Sequence, residues 1–193
     1  MAQEIEIEYK NLLTEDEYKH LLRELNFPEK AVLQENYYFE TTDFQLKQKQ
    51  SALRIRKKNG NYVLTLKEPH PEGLLETHDM LTIEEADSWF NGKPVVKEHT
   101  GKQLEKLGIS MDELHLFGSL HTERREITYQ NVLLVLDYSQ YHYTSDYELE
   151  LEAKSQSEGI AVFKTLLSAY QIPSRDTPNK IERFFQSIKK NTQ

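Results

Sequence analysis

The side chains best suited to chemistry in this 193-residue chain are charged residues that recur at every second position. Glu4, Glu6, Glu8 and Lys10 alternate with Ile5, Ile7 and Tyr9, and far along the chain Glu148, Glu150 and Glu152 alternate with Tyr147, Leu149 and Leu151. Period two belongs to a strand, so each run gathers its carboxylates on one face. Like charges in a row destabilise a sheet and call for bulk water or a cation. One such run would be an ordinary wet face, whereas two argue for a site. The basic residues are sorted in the same way: Arg54 and Arg56 oppose Leu53 and Ile55, and Lys67 shares a face with Thr65 against Leu64 and Leu66.

Carboxylate oxygens from Glu6, Glu8, Glu148, Glu150 and Glu152 are the donors that Mg2+ or Mn2+ prefers. Lys10, Arg54, Arg56, Lys67 and Arg124 supply ammonium groups and planar guanidinium forks, which match a chain of phosphates. Acid and base together imply a metal ion plus a polyphosphate. Such an ion could lower the pKa of a water for attack on the terminal phosphorus or activate a ribose hydroxyl of ATP, and these residues serve both outcomes.

Those side chains must be held by a sheet, and the pattern supplies one. Strands are expected at the N-terminal acidic run, over 31–41, at 52–58 and 61–68 joined by an Asn59-Gly60-Asn61 turn, at 74–81, at 121–129 and 132–138, and at 143–153. Helices are expected from Thr14, from Thr82 to Phe90, over 94–107, as a turn or two within 109–117, from Ser155 to Tyr170, and over 179–189 with Ile181, Phe184, Phe185 and Ile188 buried. The polar stretch up to Gln50 reads as a connection. About eight strands joined mostly by hairpins imply an antiparallel sheet in an α+β protein, with apolar faces under helices and charged faces turned inward.

Residues 1–193 read as one domain. The net charge of −8, from 32 acids and 24 bases, argues against nucleic acid or an anionic membrane as partner. The chain has no cysteine, so thiolate sites are excluded, and its start lacks the basic and apolar run of a signal peptide; a cytoplasmic protein is expected.

Glu6-Ile7-Glu8-Tyr9-Lys10, Tyr37-Tyr38-Phe39-Glu40-Thr41, Arg54-x-Arg56, Leu64-Thr65-Leu66-Lys67, Leu136-Asp137, the late Glu-x-Glu and Lys180 before the last helix form an ordered set that resembles the CYTH superfamily, the triphosphate tunnel metalloenzymes. The resemblance implies a closed eight-stranded antiparallel β-barrel, a tunnel with a charged interior flanked by helices. It implies metal binding by Glu6, Glu8, Glu148 and Glu150 with help from Asp137, and leaves Glu152 as a further candidate. Lys10, Arg54, Arg56, Lys67, Arg124 and Lys180 would bind the triphosphate, Lys10 and Lys180 with catalytic parts. Arg124 is preferred to Arg125, which shares its face with Ile127 and Tyr129. The implied activity is divalent-metal-dependent hydrolysis of inorganic triphosphate or an organic triphosphate such as thiamine triphosphate, by a monomer or homodimer. Conversion of ATP to cyclic AMP and non-catalytic polyphosphate binding are the alternatives. Glu4 reads as a rim carboxylate, His78 as structural or solvent-facing, and Glu76, His78 and Asp79 have no assigned register.

Overall fold

A computed structural model describes residues 2–190, with side chains described up to residue 187. Eight strands close on themselves in the order β1-β5-β4-β3-β2-β6-β7-β8. They are β1 (Gln3–Leu13), β2 (Val32–Glu40), β3 (Ala52–Lys58), β4 (Asn61–His70), β5 (Gly73–Leu81), β6 (His115–Tyr129), β7 (Val132–Tyr141) and β8 (Thr144–Ala153). The helices are α1 (Glu15–Glu24), α2 (Gln45–Gln48), α3 (Ile83–Phe90), α4 (Glu98–Lys106), α5 (Gln156–Ala169) and α6 (Lys180–Lys190). Strand pairing is antiparallel, as expected from the hairpin spacing. No helix among the described residues is long and apolar enough to cross a membrane.

The chain forms two compact units, residues 1–6 with 34–119 and residues 7–33 with 120–193. In the first unit the apolar side chains of β2 to β5, among them Phe39, Leu53, Ile55, Leu64 and Leu66, pack with Trp89 of α3 and Leu104 of α4. Burying side chains of this size is worth roughly 1.5–3 kcal/mol each. The opposite faces of the same strands carry Asn36, Arg54, Arg56, Thr65, Lys67, Glu76 and His78. In the second unit Leu134, Leu136, Leu149 and Leu151 pack with Leu21 of α1 and with Phe163, Leu166 and Leu167 of α5. Helices therefore cover the apolar face in each unit, and on a closed barrel the other face is the inner one.

Local signals account for the helix starts. Thr14 and Glu17 form a reciprocal capping box at α1, and Thr82 and Glu85 do the same at α3. Asn59 and Gly60 both have positive φ, 51° and 78°, the conformation of a tight hairpin turn between β3 and β4. Two buried carboxylates are spent on helix N-termini: Glu40 accepts from the Leu46 and Lys47 N–H groups at 3.0 Å, and Asp79 from the Thr100 N–H at 2.7 Å. Asp79 is thereby placed on the face away from Glu76 and His78.

The middle of the chain departs from expectation. Helix is confined to Glu98–Lys106 of the stretch 94–107. The segment 109–117 holds one 3-10 turn, Met111–Glu113, and then enters β6, which starts at His115 instead of His121. The alternation in His115–Leu120 is too weak to distinguish from a helical turn without its partner strand. The connection before Gln50 contains the short α2, whose first N–H groups donate to the Thr41 hydroxyl and the Glu40 carboxylate. In α6, Phe184 and Phe185 are buried and Ile181 is half-buried, while Ile188 lies outside the residues whose side chains are described.

Candidate active site

In the second unit, register alone brings acids and bases to one place. Arg124 of β6 stands across from Asp137 of β7, Asp137 across from Glu148 of β8, and Glu150 across from Lys10 of β1. Arg124 donates to Asp137 through Nε at 2.8 Å and through Nη2 at 2.6 Å, and Nη2 also reaches Glu150 at 2.6 Å. Arg125 points to the other face, where it donates to Tyr18 Oη at 2.8 Å and to the Pro28 and Glu29 carbonyls.

From α6, Lys180 donates to Asp137 and Glu150 and lies 3.0 Å from Glu148. Asp137, Glu148 and Glu150 present oxygens that all fall within 4.8 Å of one another. Asp137 and Glu148 are 0% exposed and Glu150 is 8% exposed. Burial pushes the Asp137 carboxyl upward, but the charges of Arg124 and Lys180 outweigh it and hold the group below its ordinary value. Burial would likewise discharge Lys180, and the surrounding Asp137, Glu148 and Glu150 carboxylates keep it firmly protonated.

Arg183, one turn further along α6, is a site residue that the sequence reading missed. Its Nη1 and Nη2 donate to Glu148 at 3.1 and 2.8 Å, and its Nε donates to Asp146 at 2.9 Å. The available signal was its spacing from Lys180, since positions three apart share a helix face. Close by, Lys10 donates to Glu8 at 2.6 Å and to the side-chain oxygen of Asn179. Glu152 faces Glu8 across β1 and β8; it remains half-buried outside the close carboxylate group, though its charge acts on Arg124.

The first unit carries its own charged cluster. Lys67 pairs with Glu6 and Glu76. Burial works to raise the Glu76 carboxyl, yet Lys67 and Arg54 prevail and hold it at about 2. His78, expected to be structural or solvent-facing, has its Nε2 3.2 Å from Glu4 and 3.3 Å from Glu76, and its Nδ1 3.0 Å from Thr65 Oγ1. Glu76 is a same-face neighbour on β5, while Glu4 and Thr65 come from β1 and β4, which spacing along the chain does not reveal. Glu4 behaves as a rim group, with 59% of its side chain exposed. Arg56 is oriented by the Asn36 side-chain oxygen, which accepts from its Nε at 3.0 Å.

Clusters able to coordinate a divalent ion are thus present. The Asp137, Glu148 and Glu150 set is all carboxylate, which fits Mg2+ or Mn2+, while Glu4, Glu76 and His78 mix in an imidazole.

Comparison with known proteins identifies the family and the fold. The CYTH domain family model matches residues 4–185. YjbK of Bacillus subtilis (strain 168), a candidate triphosphatase by name, is 48% identical over 192 residues, 99% of this chain and 100% of that protein. The crystal structure of a candidate adenylate cyclase from Bacillus halodurans superposes with a TM-score of 0.93 at 41% identity, covering 96% of this chain and 100% of the other. HpAC1 from Hippeastrum, a candidate adenylyl cyclase described as having a dominant triphosphatase activity, shares the fold with a TM-score of 0.78 at 24% identity, over 95% of this chain and 96% of its own.

Proposed function

Because the chain belongs to the CYTH domain family, we propose that it is a divalent-metal-dependent hydrolase of triphosphate compounds, acting on inorganic triphosphate or an organic triphosphate such as thiamine triphosphate. The observation that carries this reading is the trio Asp137, Glu148 and Glu150, buried and mutually within 4.8 Å, with Arg124 and Lys180 against it. Carboxylates alone would repel a polyphosphate. With Mg2+ or Mn2+ held by Asp137, Glu148 and Glu150, and with Glu6, Glu8 and Glu152 as further acids, the acidic bank becomes attractive. When bound, the ion supplies Lewis-acid polarisation of phosphoryl oxygens and a water of lowered pKa.

The chain's own residues do the rest. Arg124 keeps Asp137 ionised and aligns Asp137 and Glu150 by hydrogen bonds. Lys10, Arg54, Arg56, Lys67, Arg124 and Lys180 take phosphate oxygens and neutralise charge as the anhydride bond breaks. Lys10 and Lys180 are placed nearest the reacting phosphoryl group in this reading, and residues 1–193 work as one domain. The similarity to YjbK supports hydrolysis.

The likeness to the Bacillus halodurans protein favours a second reading, conversion of ATP to cyclic AMP. Incubation with inorganic triphosphate, ATP and thiamine triphosphate in Mg2+ or Mn2+ separates the two. Metal-dependent phosphate release is expected. Cyclic AMP without phosphate release would replace hydrolysis by cyclisation, and binding without product would make the protein a polyphosphate-binding module.

A further inference from the structure

Lys180 contacts the same three carboxylates that make up the candidate metal site, Asp137, Glu148 and Glu150. We propose that Lys180 is the built-in occupant of that site: it sets the affinity for a divalent ion, leaves the carboxylates as the ion arrives, and so becomes available to a phosphate oxygen. This rests on reading the three carboxylates as the metal site.

Charge crowding supports the exchange. Lys180 meets all three carboxylates, and a divalent ion added while its ammonium group stayed would place like charges side by side in a buried site.

Local structure allows Lys180 to go. It is the first residue of α6, where the positive end of the helix dipole opposes an ammonium group. The preceding residues 172–179 form no regular secondary structure. Arg183 holds Glu148 and Asp146 independently and donates to the Pro178 carbonyl at 2.7 Å, so α6 stays anchored while the Lys180 side chain swings. Arg124 cannot exchange in the same way, because its guanidinium is fixed by three hydrogen bonds on a strand.

The test is Mn2+ binding by the full chain in the absence of substrate. Calorimetry should find that Lys180→Met binds Mn2+ at least about tenfold more tightly than the unmodified chain, since a competing charge is removed, while phosphate release from inorganic triphosphate is lost. Lys180→Arg, which retains the charge, should show no such tightening. In the unmodified chain, amine acylation followed by mass spectrometry should show Mn2+ raising the labelling of Lys180 several-fold relative to exposed Lys19. This second measurement holds even if Lys180→Met does not fold. Equal or weaker Mn2+ binding by folded Lys180→Met, or unchanged labelling of Lys180 while Mn2+ binds, overturns the exchange and leaves the metal reading standing. No Mn2+ binding by either protein overturns both.

Discussion

Replacing Arg124 by Met should destabilise the fold through a group that stays behind. Asp137 is 0% exposed and Arg124 8%, and two hydrogen bonds of 2.8 and 2.6 Å join them. Removing one partner of a buried pair costs about 3–5 kcal/mol, because the other charge is left desolvated. Lys180 still touches Asp137 and offsets part of the loss, which places the expectation near the lower end, about 3 kcal/mol. For a chain of this length that is a fall in Tm of roughly 6–12 °C. Adding Asp137→Asn removes the fully buried one of the two charges left behind, Glu150 being the other, and the double variant should recover to within about 1–2 kcal/mol of the unmodified chain.

Urea unfolding with an unchanged slope is the assay. The pH dependence has a definite sign. Asp137 is held below its ordinary value in the folded chain, so its stabilisation is present above the ordinary carboxylate range and fades as pH falls through the lowered value. Arg124→Met lacks that contribution, so its stability should approach that of the unmodified chain on acidification. A loss below about 1 kcal/mol at neutral pH, or a double variant that loses the full sum of its parts, would refute the reasoning.

Other consequences are open to direct measurement. Glu150→Gln should lower kcat/KM for metal-dependent phosphate release by at least about 100-fold and Glu152→Gln by less than about tenfold, because Glu152 lies outside the close carboxylate group; a steady-state comparison across a Mg2+ titration decides. Gly159→Ala would put a Cβ 2.4 Å from Tyr9 Cε2 and 2.9 Å from Ala153 Cβ, so thermal unfolding should show a net loss of about 1–2 kcal/mol despite the helix-propensity gain. Tyr9 cannot simply turn aside, as its hydroxyl donates to the Gln156 carbonyl at 2.8 Å. Arg175 makes two 2.8 Å hydrogen bonds to Glu17, chiefly responsible for holding that carboxyl below its ordinary value. Arg175→Ala should cost about 1 kcal/mol at neutral pH, a difference that shrinks as pH falls through the carboxylate range and leaves only the hydrogen bond to the Leu12 carbonyl, read from denaturation curves at several pH values.

Most of the strands and helices were legible along the chain because the fold announces itself locally. Strict alternation at Glu4–Lys10 and Tyr147–Glu152 states which side chains share a face, and capping boxes at Thr14 and Thr82 mark where helices begin. The sorting of charge away from Leu53, Ile55, Leu64 and Leu66 already implied an apolar outer face and a charged inner one. Where local signals were weak, as at His115–Leu120, partner strands decided, since a short run without clear alternation takes its conformation from the ladder it joins.

Register and reach belong to the tertiary structure alone. Which of Glu148, Glu150 and Glu152 gather with Asp137, and that Lys180 and Arg183 enter their midst from α6, depends on how β6, β7, β8 and α6 are aligned, and a shift of one residue would turn every one of these strand side chains to the other face. The same holds for His78, joined to Glu4 and Thr65 across strands, and for Asp79, which the sequence could not tell from a site acid and which instead caps α4. Period and charge type are properties of neighbours in the chain, whereas a site is made by residues distant along it, so the chain could name the chemistry and only packing could choose its members.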